Sequence, residues 1–267
     1  MLEIILVDEV TEKMGWIDSH CHLDFADFDQ VSLFQSLLGS DCEAVLIPAT
    51  QVKYFNRVVE LKNEYPSLVK FALGLHPYFI AEHQESDLDK LSHALVEHKP
   101  DALGEFGLDF MLPESSYEQQ IYFFDQQLQL AQQHKLPLVI HCRKAHDQLA
   151  SRVKQARFTG GGFIHAFSGS LQQAKRYLDL GFVLGLGGAL TYDRAKAMHK
   201  MVAQLPDDGY TLETDSPDMA PSFAQGQVNT PLNIPTIAQH IARLKNQTVE
   251  QVFENSTHNF HRVLIIT

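Results

Sequence analysis

Short apolar runs alternate with amphipathic segments along almost the whole chain, and this alternation constrains the fold more than any other feature. Each run is only a few residues long and mostly apolar, which is typical of parallel strands that are buried on both faces. The predicted strands are Gly15–His20, Ala44–Pro48, Val69–Gly74, Ala102–Glu105, Leu138–His141, Gly162–His165, Phe182–Leu186 and Tyr210–Glu213.

The segments between these runs carry apolar residues at helical spacing. Such repeats occur over residues 54–65, 121–131, 171–178, 198–205 and 237–244. About eight strand–helix units in one chain predict an α/β fold of the (β/α)8 TIM barrel type, in a single domain. An open doubly wound sheet is the alternative, although neither GxGxxG nor GxxxxGK[ST] follows the first predicted strand.

The N-terminus is predicted to be an extension that precedes the barrel. It is acidic and lacks the basic start and small-residue cleavage site of a signal peptide. A second methionine, Met14, stands directly before the first predicted strand. We therefore expect an extension over residues 1–15 and one domain over residues 16–267.

Composition narrows the expected location and partners. No apolar stretch approaches the roughly 20 residues that a membrane-spanning helix needs, and three cysteines without zinc-finger spacing suit the reducing cytoplasm. We expect a cytoplasmic monomer or small oligomer without membrane contact.

The net charge of −12 opposes non-specific binding to nucleic acid, which relies on Lys and Arg. A nucleic-acid substrate would therefore need locally concentrated positive charge or bound metal.

Residues of the metal-binding type stand at or just after the ends of five predicted strands. A single histidine in such a place is more often structural, so the prediction depends on the recurrence. Active sites of (β/α)8 barrels lie at the carboxyl ends of the strands, where these residues would converge. Strand residues two apart share a face, which allows His20 and His22 to hold one cation together. The candidate metal ligands are His20, His22, Glu105, His141, His165 and Asp215.

This set of imidazoles and carboxylates is typical of a hydrolytic centre with two metals. A carboxylate such as Glu105 can bridge two cations about 3.5–4 Å apart, and water bound there becomes hydroxide near neutral pH. Asp215 is expected to bind one metal and to take the proton of the water. Glu105 and Asp215 are therefore the expected catalytic residues, and the donors suit Zn, Mn or Mg.

Three further residues are placed to assist this centre. His76 ends the third predicted strand and is expected to contact the substrate, and Arg143 is expected to reach a phosphate oxygen. Asp109 can orient a metal-binding histidine from outside. The alternative for each is structural: a strand-end histidine beside Pro77, a surface arginine and a loop aspartate.

Taken together, the motifs resemble the TatD family of metal-dependent hydrolases, within the amidohydrolase-like barrels. IDSHCHLD, GLHP, GEFGLDF, VIHCR, HAFSGS and LETDSPDM occur in the order of the family from Trp16 onward, and GGALTYDRA and FAQGQVNTP are similar to its YjjV-type branch. The resemblance implies two divalent metals at the six positions named above. It also implies hydrolysis of an ester bond, with a phosphodiester as the expected substrate and DNA as a provisional one.

The chain departs from the family pattern at two places, and two other functions stay open. Phe106 replaces the usual Ile, and the loop before Asn229 lacks the basic residue that many members carry, which weakens the case for contacts to a DNA backbone there. One alternative is an amidase or lactonase, although related barrels often carry a carbamylated lysine where this chain has Glu105. The other is a non-catalytic binding protein that metal stabilises.

Overall fold

The computed structural model describes residues 15–25 and 29–265. Within these ranges eight parallel strands alternate with helices, and each strand pairs with the next one along the chain. This order confirms the predicted (β/α)8 barrel and differs from that of an open doubly wound sheet. The predicted N-terminal extension, except for Gly15, lies outside the described residues.

The strands and helices of the described residues have the following bounds. The strands are β1 Trp16–Asp18, β2 Cys42–Ala49, β3 Val69–Leu73, β4 Ala102–Asp109, β5 Leu138–Arg143, β6 Gly162–Ile164, β7 Phe182–Leu186 and β8 Tyr210–Leu212. The helices are α1 Gln30–Leu38, α2 Phe55–Glu64, α3 Glu85–His98, α4 Tyr117–His134, α5 His146–Gln155, α6 Leu171–Asp179, α7 Lys196–Val202, α8 Ile234–Lys245 and α9 Val249–Ile265. None of these helices is both long and apolar enough to span a bilayer.

Strands β4 and β5 are longer than predicted. They pair from Leu103 opposite Leu138 as far as Asp109 opposite Arg143, with a register shift between Gly104 and Phe106 that leaves Glu105 without a direct partner. The expectation that Glu105 and His141 end their strands is therefore wrong, and both lie inside the ladder. The two strands approach closely at Gly107, where an added Cβ would lie 1.8 Å from the carbonyl oxygen of His141.

Individual hydrogen bonds close the barrel between β8 and β1. The Ser19 N–H donates to the Leu212 carbonyl at 2.9 Å, and the Asp215 N–H donates to the His20 carbonyl at 2.9 Å. The buried Asp18 carboxyl accepts the Thr214 N–H at 3.0 Å, and burial raises the pKa of Asp18 to about 8. These bonds fix the chain segments that carry His20 and Asp215 relative to each other.

The interior of the barrel is filled with apolar side chains, and α9 contributes to it. Phe260 and Val263 of α9 join the cluster formed by inward residues of the strands, and the Phe260 ring lies 5.5 Å from that of Phe163. The same helix contacts β8, because the Ser256 hydroxyl accepts the Leu212 N–H at 2.8 Å. Packing from this helix thus supports the strand that precedes Asp215.

We expect Gly107→Ala to destabilise the protein by at least about 3 kcal/mol, because the methyl group would overlap main-chain atoms of β5. Thermal unfolding should show a fall in Tm of roughly 6–12 °C for a protein of this size. Gly39→Ala is the control, because Gly39 has a helical φ of −84° and its nearest neighbour would be 3.3 Å away. Equal Tm values for the two variants would contradict the close approach of β4 and β5.

Candidate metal centre

A cavity of about 670 Å³ opens at the carboxyl end of the barrel. Five of the six predicted ligands line it, and the sixth, His20, is fully buried against them. The structure therefore brings together residues that are almost 200 positions apart in the chain. The lining ligands are His22, Glu105, His141, His165 and Asp215.

Four potential ligand atoms lie near one another at the base of this cavity. The Nε2 atoms of His20 and His22 are 3.3 Å apart. Oε2 of Glu105 lies 3.3 Å and 3.4 Å from them, and Oδ1 of Asp215 lies 3.6 Å and 3.7 Å from them. Tetrahedral ligation with bonds of about 2.0–2.1 Å separates ligand atoms by about 3.3 Å. Donor atoms of His20, His22 and Asp215 lie close enough together to hold a single cation, and Oε2 of Glu105 lies beside the two imidazoles.

The other oxygen of Glu105 faces a second group of nitrogen atoms. Oε1 lies 3.3 Å from Nδ1 of His141 and 3.1 Å from Nε2 of His76. Glu105 thus presents one oxygen to each group, which is the arrangement of a carboxylate that bridges two cations.

His165 lies between these groups. Its ring stacks on that of His20 with centroids 3.6 Å apart, and its Nε2 lies 3.5 Å from Oδ1 of Asp215. The ring of His141 is farther away, with centroids 6.4 Å apart. Donor atoms of His165 accordingly group with those of His20 and Glu105, whereas His141 groups with Glu105 and His76.

The electrostatics of the site favour positive charge at its centre. Burial by itself lowers the pKa of His22, but Glu105 and Asp215 outweigh it and raise that pKa to about 9. Burial by itself raises the pKa of Asp215, yet His165 beside it lowers that pKa to about 2. Two carboxylates that are ionised at neutral pH in a buried pocket attract a cation strongly, so the donor set fits a divalent metal.

His76 is a hydrogen-bond donor to Glu105. Its Nδ1 accepts the Tyr78 N–H at 3.0 Å, and burial lowers the pKa of His76 to about 4, so the ring is neutral at pH 7. A neutral ring whose Nδ1 accepts must carry its proton on Nε2. His76 therefore lacks a free Nε2 lone pair for a metal. It lines the cavity, where the predicted contact with substrate stays a prediction.

Asp109 orients His141, as the sequence predicted. Nε2 of His141 lies 3.1 Å from Oδ2 of Asp109, and Oδ1 of Asp109 accepts the Met111 N–H at 2.9 Å. When the ring of His141 donates from Nε2, its Nδ1 atom keeps a lone pair that can bind a cation. This Nδ1 atom faces Glu105. The exposed Arg143 lies at the rim, with Nη1 3.7 Å from the same Asp109 oxygen.

Glu213 belongs to the site, and sequence reasoning missed it. This buried residue places Oε1 3.1 Å from Nδ1 of His165 and accepts the Ala166 N–H at 2.7 Å. Gly185 makes room for it, because a Cβ there would lie 1.9 Å from Oε2 of Glu213. The available signal was its spacing, since side chains two apart in an extended segment share a face and Asp215 is two residues on.

We expect Asp109→Asn to weaken metal binding about 10- to 100-fold while leaving the fold intact, because the ring of His141 loses its carboxylate partner. Competition with a chromophoric chelator measures the affinity, and circular dichroism checks the fold. Asp125→Asn is the matched control, since Asp125 forms an ion pair with Arg152 at 2.6 Å outside the cavity. Unchanged metal affinity in Asp109→Asn would contradict this orienting role.

Comparison with known proteins finds relatives of the same size. The sequence model of the family described as TatD related DNase matches residues 17–264. The chain is 36% identical over 256 residues to YjjV of Escherichia coli strain K12, named an uncharacterized metal-dependent hydrolase, and the match covers 93% of this chain and 98% of YjjV. An uncharacterized metal-dependent hydrolase of Haemophilus influenzae is 36% identical over 249 residues, with 90% and 95% of the two chains covered.

Solved structures agree with these matches. The crystal structure of YjjV, a TatD homologue from Escherichia coli K12, has a TM-score of 0.89 at 35% identity and covers 93% of this chain and 97% of that one. A TatD family hydrolase from Entamoeba histolytica has a TM-score of 0.82 at 22% identity, covering 96% and 100%, and supports the fold alone. The chain therefore belongs to the TatD related DNase family.

Proposed function

We propose that this protein is a metal-dependent phosphodiesterase that acts on nucleic acid or a related phosphoester, with DNA as the provisional substrate. One observation carries the proposal: Glu105 directs its two oxygens to two separate groups of nitrogen atoms at the base of an open cavity. The names of the relatives, which include a DNase family and metal-dependent hydrolases, point to the same chemistry.

We infer two divalent cations, because the two oxygens of Glu105 face two groups of donor atoms. His20, His22 and Asp215, with Oε2 of Glu105 beside them, would hold one of them, and His141 with Oε1 of Glu105 would hold the other. His165, which lies between the two groups, completes the donor set. Mixed nitrogen and carboxylate donors suit Zn or Mn and also accept Mg. When bound, the cations would acidify a coordinated water and offset charge on the phosphoryl oxygens.

The residues of the chain then have distinct tasks. Asp215 is ionised at neutral pH and can take the proton of the attacking water. His76 lines the cavity and donates its Nε2 proton to Glu105, so it would hold the bridging carboxylate in place beside the substrate. Arg143 stands at the rim of the cavity, where a guanidinium can hold a phosphate oxygen.

The lining of the cavity favours short or single-stranded substrates over a long duplex. Among the described lining residues, Arg143 is the only lysine or arginine, and the chain carries a net charge of −12. Phe25, Tyr78 and Phe79 also line the cavity, and Tyr78 is 64% exposed. Aromatic side chains stack with unpaired bases, whereas binding to a duplex relies mainly on positive charge.

Loss of an outer partner of a metal ligand typically costs about 10- to 100-fold in activity. Glu105→Ala and Asp215→Ala should each reduce turnover by more than this, because both remove a proposed metal ligand. Each residue contacts at least two other members of the site, so no neighbour can replace it. The assay uses DNA, RNA and bis-p-nitrophenyl phosphate with Mg, Mn or Zn, and the exposed Glu97→Gln is the control.

Absence of metal-dependent turnover for all three substrates would contradict the proposal. A parallel panel of lactones and cyclic amides tests the amidase or lactonase alternative. Activity on that panel alone would replace the phosphodiesterase assignment.

Adding Zn or Mn to chelator-treated protein should raise the Tm, because the metal binds the folded state and the unfolded chain lacks the assembled site. At a metal concentration of 100 Kd the gain is about 2.7 kcal/mol, which corresponds to roughly 5–10 °C. Calorimetry of the wild type and of His20→Ala measures it, and the variant should lose most of the shift. A Tm shift without turnover of any substrate would favour the non-catalytic binding protein.

A further inference from the structure

A second cavity of about 690 Å³ adjoins the metal centre. It lies between the segment that links β5 to α5 and the segment that links β6 to α6, and we call it the flanking cavity. Arg143 and Ser168 line both cavities, so the two are continuous at these residues. Its volume lies within the about 300–1,000 Å³ that is typical of small-ligand pockets.

The flanking cavity is positively charged in a chain that is acidic overall. Arg143 and Lys144 line it, and within the described part of the chain no ion pair or hydrogen bond engages the Lys144 ammonium group. Among the lining residues that the structure describes, Asp147 is the only acidic one, and it accepts a hydrogen bond from Arg176 at 2.7 Å. Two cations therefore face this cavity. Asp109 lies 3.7 Å from Arg143 and Arg176 offsets the charge of Asp147, so Lys144 is the cation of the described lining without a carboxylate partner.

Hydroxyl groups and an apolar wall complete the lining. Ser168 offers a hydroxyl donor on the side of β6, where the Ser170 hydroxyl caps α6 through Gln173. Phe110 and the 58% exposed Met111 form the opposite wall. An anion that is carried on an apolar group, such as the phosphate of a nucleotide, matches both walls. A free inorganic anion would use only one of them.

We propose that the flanking cavity is a second anion subsite, which holds the phosphate next to the one that is hydrolysed. This inference rests on the proposed phosphodiesterase function. Arg143 stands between the two cavities and reaches toward the scissile phosphate, whereas Lys144 contacts the neighbouring phosphate only. The enzyme then prefers nucleotides with a flanking phosphate over simple diesters, even though its overall charge repels nucleic acid.

The kinetic test compares dithymidylate that carries an extra phosphate at its 5′ end, at its 3′ end or at neither end. The wild type should prefer one of the two phosphorylated forms, and Lys144→Glu should lower kcat/KM for that form about fivefold, as expected for loss of an exposed charge contact. Turnover of the unphosphorylated form and of bis-p-nitrophenyl phosphate should not change. Lys154→Glu, an equal charge change on α5 outside the cavity, is the matched control.

Two kinetic results would overturn the subsite while leaving the phosphodiesterase function standing. One is equal kcat/KM of the wild type for all three dinucleotides. The other is an equal effect of Lys144→Glu and Lys154→Glu on every substrate.

A binding test is independent of turnover and separates the subsite from the proposed function. Fluorescence anisotropy measures the binding of labelled pentathymidylate with hydrolysis-resistant phosphorothioate linkages to the metal-loaded wild-type protein. Lys144→Glu should weaken binding about fivefold and reduce the slope of log Kd against log salt by about 0.7, which is one phosphate contact on a single strand. Equal affinity with and without Lys144→Glu, or no binding at all, would refute the subsite whether or not the enzyme hydrolyses the substrate.

Discussion

The site depends on one buried carboxylate, that of Glu105. A carboxylate without partners would be costly to bury, so its two oxygens must be satisfied from different sides. On one side lie Nε2 of His20 and His22, and on the other side lie His76 and His141. Every other member of the centre is arranged around these contacts, so the position of Glu105 within β4 determines where both groups of donors meet.

Several features of the barrel hold the partners of Glu105 in place. The hydrogen bonds between β8 and β1 fix the segments that carry Asp215 and His20. Aromatic stacking positions the rings, with His20 against His165 and His22 against Phe25 at a centroid distance of 4.9 Å. Because backbone bonds and ring packing both act, the ligand geometry is pre-organised by the fold rather than created by the metal alone.

The sequence predicted the barrel and the convergence of the six ligands because both follow from short-range patterns. The bounds of β7 agree at both ends, since its apolar run stops where its hydrogen bonding stops. The ends of β4 and β5 could not be predicted in this way. Glu105 and His141 are polar residues after an apolar run, which suggests the end of a strand, but both strands continue beyond them. The contacts of Glu213 with His165 and of His76 with Glu105 depend on long-range packing, and the spacing of Glu213 indicates only that it shares a face with Asp215.

The contribution of α9 to the barrel interior has a consequence for biosynthesis. Phe260 fills part of the interior, and Ser256 satisfies the backbone of β8 just before Asp215. A ribosome-bound chain that ends before α9 would thus have an incomplete interior and an unsupported last strand. The candidate metal ligands His20 and His22 would meet Asp215 only after nearly the whole chain has emerged, so a nascent fragment would lack the assembled site.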